Sequence, residues 1–131
     1  MAEIIAILKE IKFSMLTGRK CSLDYSYESE EDFSVIFETL IFDGVEGFKC
    51  TFYKACSIEM LEAYDKVVDI KNSEWLNEIL FNLSKSEMDM TDLRHLRIYF
   101  DDGLCYEFIC NSFQVVIGEQ KNLFGNLHNS I

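Results

Sequence analysis

The sequence predicts an α+β fold, an antiparallel β-sheet with helices packed on one face, and three patterns carry that prediction. Residues 2–16 place Ile4, Ile5, Leu8, Ile11 and Met15 near helical spacing, with Lys9 and Glu10 falling mainly to other sides. Residues 74–85 repeat the pattern with Trp75, Leu76, Ile79, Leu80 and Leu83 in one apolar stripe. Between and after these segments the period drops to two, as a half-buried strand requires.

Each element follows from local chemistry. The N-terminal helix is expected to end at Thr17-Gly18, because glycine adopts the left-handed conformation that closes a helix. "CSLDYSY" then alternates, with Cys21, Leu23, Tyr25 and Tyr27 on one face and Ser22, Asp24 and Ser26 on the other. "FSVIFETLIF" and "EGFKCTFYKA" flank "DGVEG" and read as two strands of a hairpin. Residues 57–70 are ambiguous; a short helical turn followed by a strand at 65–70 suits Val67, Val68 and Ile70. Ser73 is a good N-cap for the second helix, about residues 74–85. "HLRIYFDDGLCYEFIC" is the clearest hairpin, turning at Asp101-Asp102-Gly103, and "SFQVVIG" adds a further strand. The region 104–118 is expected to offer an exposed strand edge. The last residues are expected to be loosely held.

A chain of 131 residues suits one domain, residues 1–131, large enough to bury a core without metal or disulfide. Eleven Phe and six Tyr supply that core, and with no proline the turns fall to Gly, Asp, Asn and Ser. The five cysteines are odd in number and form no CxxC, and no secretory segment or membrane span is apparent. A cytoplasmic protein with reduced, shielded thiols is the expectation.

The net charge of −11 repels nucleic acid and anionic lipid, so neither is an expected partner. Charge of this size also keeps a protein soluble, but solubility does not require a patch of one sign. Residues 21–48 hold eight carboxylates and no lysine or arginine, five of them within "DYSYESEED".

The residues that carry chemistry elsewhere are sparse here. Gly44-Val45-Glu46-Gly47 is a turn without the Lys-Ser/Thr of a phosphate loop. His95 and His128 are the two histidines, and Cys105 and Cys110, five apart, face opposite sides of one strand. Buried cysteine explains these thiols better than a metal site or a Cys-His nucleophile. Asp101-Asp102 before Gly103 is the composition of a tight turn, which leaves Asp101 able to face a partner. Tyr25 and Tyr27 have two readings: core residues beside Leu23, or interface anchors ringed by Asp24, Glu28 and Glu30. No catalytic residue, cofactor or metal is expected, and the chain is read as a non-enzyme.

Two segments, "LIFDGVEGFKCTFYKACSIEMLEAYDKVVDIKNSEWLNEI" and "LRHLRIYFDDGLCYEFICNSFQVV", are similar to small cytoplasmic bacterial immunity proteins encoded beside secreted or contact-delivered toxins, as in contact-dependent growth inhibition and other polymorphic toxin systems. "SEW" opening a helix, "IYFDDG" turning a hairpin and small acidic size carry the resemblance over roughly residues 33–118. It implies a monomer or weak dimer that binds and neutralises a cognate basic toxin domain, a nuclease, by covering its active or substrate-binding surface. On that reading Asp24, Tyr25, Tyr27, Glu28, Glu30, Glu31 and Asp32, helped by Asp101 and Glu107, form the contact, the carboxylates standing in for phosphate. The competing reading is a small ligand-binding or adaptor domain, with a pocket between sheet and helices lined by Phe and Tyr side chains.

Overall fold

The computed structural model describes residues 11–28, 34–85, 92–100, 103–121 and 127–128. The strands are β1 (Lys12–Leu16), β2 (Lys20–Glu28), β3 (Val35–Asp43), β4 (Gly47–Phe52), β5 (Val68–Asp69), β6 (Arg94–Tyr99), β7 (Leu104–Cys110), β8 (Ser112–Lys121) and β9 (Leu127–His128). The helices are α1 (Ile58–Leu61) and α2 (Glu74–Ser84), with a 3-10 turn at Tyr53–Ala55. The strands form two antiparallel sheets, one in the order β1-β2-β3-β8-β9 and the other β4-β7-β6-β5.

This overturns the expected α+β fold with an N-terminal helix. Residues 12–16 are a strand paired with β2, Phe13 opposite Leu23 and Met15 opposite Cys21. Residues 2–10 lie outside the described residues. Ile11 and Met15 fit a helical stripe, but together with Phe13 they also fit a period of two, and pairing with β2 decides for the strand. Gly18 (φ 76°) and Arg19 (φ 57°) are both left-handed and reverse the chain between β1 and β2. A lone glycine marks a hairpin turn as readily as a helix end.

A second correction concerns "DGVEG". β3 and β4 do not form a hairpin; they lie in different sheets. β3 pairs with β8 and β4 with β7, so residues 35–52 and 104–121 form one long two-stranded ribbon that bends between the sheets. At the bend, the Asn111 amide donates to the Asp43 carbonyl (2.9 Å) and the Glu46 amide to that of Ile109 (2.8 Å). Gly44 sits there with φ 65°, and a Cβ on it would lie 1.8 Å from Asn111 Oδ1. Glycine suits this corner on both counts, the left-handed φ and the space taken by the Asn111 side chain. The expected edge at 104–118 is absent from its first half and present in its second: β7 lies between β4 and β6, whereas β9 pairs with β8 only at Gln120 and Lys121, so no described strand lies on the outer side of residues 112–118, where Val115, Val116 and Ile117 are exposed.

The core fills the space between the sheets. Leu23, Leu40 and Phe42 from one sheet meet Leu96, Ile98, Phe100 and Phe108 from the other, all buried. The rings of Phe42 and Phe108 stack at 3.9 Å. The second expected helix is present as α2, with Ser73 accepting from the Leu76 amide (3.0 Å). It packs on β4, where Trp75 and Ile79 occupy the space a side chain on Gly47 would need. No helix among the described residues is long and apolar enough to cross a membrane.

None of the cysteines forms a disulfide, but not all are shielded: Cys21, Cys105 and Cys110 are buried, Cys56 is half-buried and Cys50 is exposed. Burial pushes the thiols of Cys105 and Cys110 up to about 12, which suppresses the reactive thiolate. Labelling of the native protein should therefore modify Cys50 first and Cys56 more slowly, leaving three thiols until denaturant is added. Mass spectrometry of timed aliquots checks this.

Candidate functional site

The stretch that holds most of the predicted partner residues is the β2–β3 pair. In its register Tyr25 stands opposite Glu38 and Tyr27 opposite Ile36. Glu38 has the same strand parity as Leu40 and Phe42, so its carboxylate turns inward, at 9% exposure. Two phenols meet it there: Tyr25 Oη donates to Oε2 and Tyr27 Oη to Oε1, each at 2.6 Å. Short bonds to a charged acceptor replace the water that Glu38 loses. Burial, with the hydrogen bond and charge of Glu38, pushes the Tyr27 phenol up to about 12 and that of Tyr25 higher, so both remain donors at neutral pH. Tyr25 is thus a core residue, 3% exposed and packed on Phe100 at 5.6 Å. Tyr27 is half-buried at the rim.

The other face of the same strands is also polar. Thr39 Oγ1 donates to Asp24 Oδ1 at 2.5 Å, and Lys12 stands across β1 from Asp24. A cavity of about 260 Å³ opens beside Lys12, Asp24, Phe37 and Thr39. Glu28 ends β2 half-buried. Glu30, Glu31 and Asp32 lie outside the described residues, in the connection from β2 to β3, and Asp101 lies outside them in the β6–β7 turn. That turn closes through the Gly103 amide to the Phe100 carbonyl (3.0 Å), and Phe100 touches Tyr25, so it sits at the same end of the molecule as Tyr27 and Glu28.

Folding divides the eight carboxylates of residues 21–48. Arg19 bonds to Glu46, and Lys20 lies 3.3 Å from Asp43. Glu38 is buried under its tyrosines. These three carboxylates are paired or buried, and Glu28 is the last described carboxylate of β2.

Glu107 is placed away from this surface. It is 3% exposed and accepts from Arg97 Nε at 2.9 Å, with His95 Nε2 at 2.8 Å from the same oxygen. The other ring nitrogen of His95 lies 2.7 Å from Ser73 Oγ. The Arg97-bound carboxylate of Glu107 accepts, so His95 Nε2–H donates to it, while the direction of the Ser73–Nδ1 bond follows the state of the ring. Serine, histidine and carboxylate in a row resemble a hydrolase triad, yet each is more than nine-tenths buried and the serine oxygen caps α2. The chain of bonds ties α2 to β6 and β7.

Sequence reasoning missed Glu38, His95 and Arg97 as members of these networks. The signal for Glu38 was its parity with Leu40 and Phe42. Arg97 stands directly opposite Glu107, which needs the hairpin register rather than composition. Among the described residues no group of His, Cys, Asp or Glu is arranged to hold a metal ion. In comparisons with known proteins, no family model, no curated protein and no solved structure matches this chain.

Proposed function

We propose that this chain is a cytoplasmic binding protein of the immunity type, which neutralises a basic toxin domain by covering a functional surface with the acidic end of its β2–β3 hairpin. The observation that supports this reading is the division of charge: cations offset Asp43 and Glu46, while Glu28, Glu30, Glu31 and Asp32 follow one another with no lysine or arginine among them. The hairpin beneath is stiffened by two tyrosines locked onto Glu38, so a partner meets a preorganised base. Opposite potentials speed encounter, and Tyr27 at the rim supplies an aromatic contact. Tyr25 supports the surface from inside, and Glu107, in the other sheet, is not part of it.

The test uses the toxin domain encoded beside this chain. Changing Glu28, Glu30 and Glu31 together to lysine should leave the circular dichroism spectrum intact, since exposed charges contribute little to stability. Association should slow by about tenfold or more at low salt and by less at high salt, where screening has already removed the steering. Equal association rates for the variant and the parent at low salt would remove the acidic end from the interface.

A further inference from the structure

We propose that the outer edge of β4 is a second docking site, which takes an extended peptide with alternating acidic and apolar residues as an added strand. The proposal does not rest on the acidic end of the hairpin. β4 pairs with β7 on one side, and no described strand lies on its other side. An open edge presents main-chain donors and acceptors to any segment that can pair with them.

The side chains of β4 fit that use. Phe48 stands opposite Phe108 and Phe52 opposite Leu104, so both point to the inter-sheet side. Phe108 is 1% exposed, whereas Phe48 is 43% and Phe52 70% exposed. The core layer therefore continues onto β4 while the facing sheet stops at β1, whose Phe13 reaches Phe48 at 5.0 Å. An apolar cavity of about 180 Å³ lies in this mouth, lined by Phe13, Phe48, Tyr106 and Phe108. Apolar cavities of roughly 150 Å³ accept a benzene-sized group.

Charge selects the occupant. In a protein of net charge −11, residues 47–56 hold Lys49 and Lys54 and no carboxylate, and β1 beside them carries Lys12, while Arg19 and Lys20 are taken up by Glu46 and Asp43. The Phe13–Phe48 contact brings these two stretches side by side. A strand added to β4 turns alternate side chains inward, beside Phe48 and Phe52, and the others outward, beside Lys49 and toward Lys54. Apolar residues suit the first set and carboxylates the second.

The experiment measures fluorescence anisotropy with the full chain and a labelled, blocked heptapeptide that alternates Glu and Val. It should bind at least about tenfold more tightly than its Lys-Val counterpart. N-methylation of alternate amides should weaken binding about tenfold in one phase and little in the other, the signature of a paired strand. Phe52→Ser should weaken it about tenfold, with the parent's circular dichroism retained. The proposal fails if the acidic peptide does not bind up to about 1 mM, or if both charge forms bind alike. Equal loss or no loss in the two N-methyl phases would also overturn it, pointing to capture of an acidic amphiphile rather than a strand. So would sedimentation showing a dimer that Phe52→Ser abolishes without peptide binding, because the occupant would then be a second copy. The lysine triple at residues 28, 30 and 31 should not weaken peptide binding, which separates this site from the toxin-binding surface.

Discussion

Replacing Glu107 with alanine should destabilise the protein by about 3–5 kcal/mol, because it leaves a guanidinium and an imidazole without their shared acceptor in a dry setting. Glu107 is 3% exposed, and His95 is 4% exposed. Arg97 and His95 converge on one carboxylate oxygen. Through His95 the loss passes to Ser73 and the start of α2, so the helix should loosen as well. Burial alone pushes the Glu107 carboxyl up; the hydrogen bonds from His95 and Arg97, with the positive charge beside it, outweigh burial and hold it below its ordinary 4.5. A carboxyl with a depressed folded-state pKa contributes stability that is complete above its unfolded value and is lost as pH falls through the folded one. The parent should therefore lose this contribution as pH drops below about 4.5, and Glu107→Gln should lack that part of the acid slope. Urea midpoints measured from about pH 7 to about pH 3 for both proteins provide the check. Parallel curves would mean that Glu107 does not supply the slope.

Gly44→Ala should be comparably damaging, at about 3 kcal/mol or more. Two terms add there. A left-handed φ of 65° costs a non-glycine residue about 1–2 kcal/mol. The new Cβ would also fall 1.8 Å from Asn111 Oδ1 and 2.7 Å from its Cγ, so the Asn111 side chain has to leave its place or the bend of the ribbon has to open. A double-mutant cycle separates the terms. In Gly44→Ala with Asn111→Ala the overlapping atoms are gone, and the Asn111 amide still reaches the Asp43 carbonyl. The double variant should recover most of the loss, down to the backbone term. Simple additivity of the two changes would show that the clash is relieved elsewhere and that the corner is softer than its geometry indicates.

What the sequence made legible, and what it hid, follows from the range of the interactions. α2 was readable because its cap, its stripe and its length are local, and Ser73 does what an N-cap serine does. The face of β2 carrying Cys21, Leu23 and Tyr25 was readable from alternation alone. β1 was not, because a five-residue strand is too short for its period to exclude a helix, and its partner strand decides. The hairpin expected around Gly44 failed for a related reason. Asp-Gly marks a reversal or a sharp bend equally well, and the choice is made by β7 and β8, far along the chain. At the candidate site, the acidic run was plain, but its division was not. Arg19 and Lys20 lie just outside the run, and only the β2–β3 register and the bend bring them to Asp43 and Glu46. Glu38 reads as one more surface carboxylate until Tyr25 stands opposite it.

The bent ribbon also sets the order in which this molecule can fold. Its bonds join residue 43 to residue 112 and residue 35 to residue 121, whereas β1, β2 and β3 are neighbours along the chain. Closing such long loops is entropically slow, and folding rates fall as contacts become less local. During synthesis the N-terminal hairpins emerge first and wait for β8, so the inner edge of β3 stays open to other chains until the end. The aggregation-sensitive period of this protein is therefore its last folding step, and variants that weaken the Gly44 corner should lengthen it before they change the finished structure.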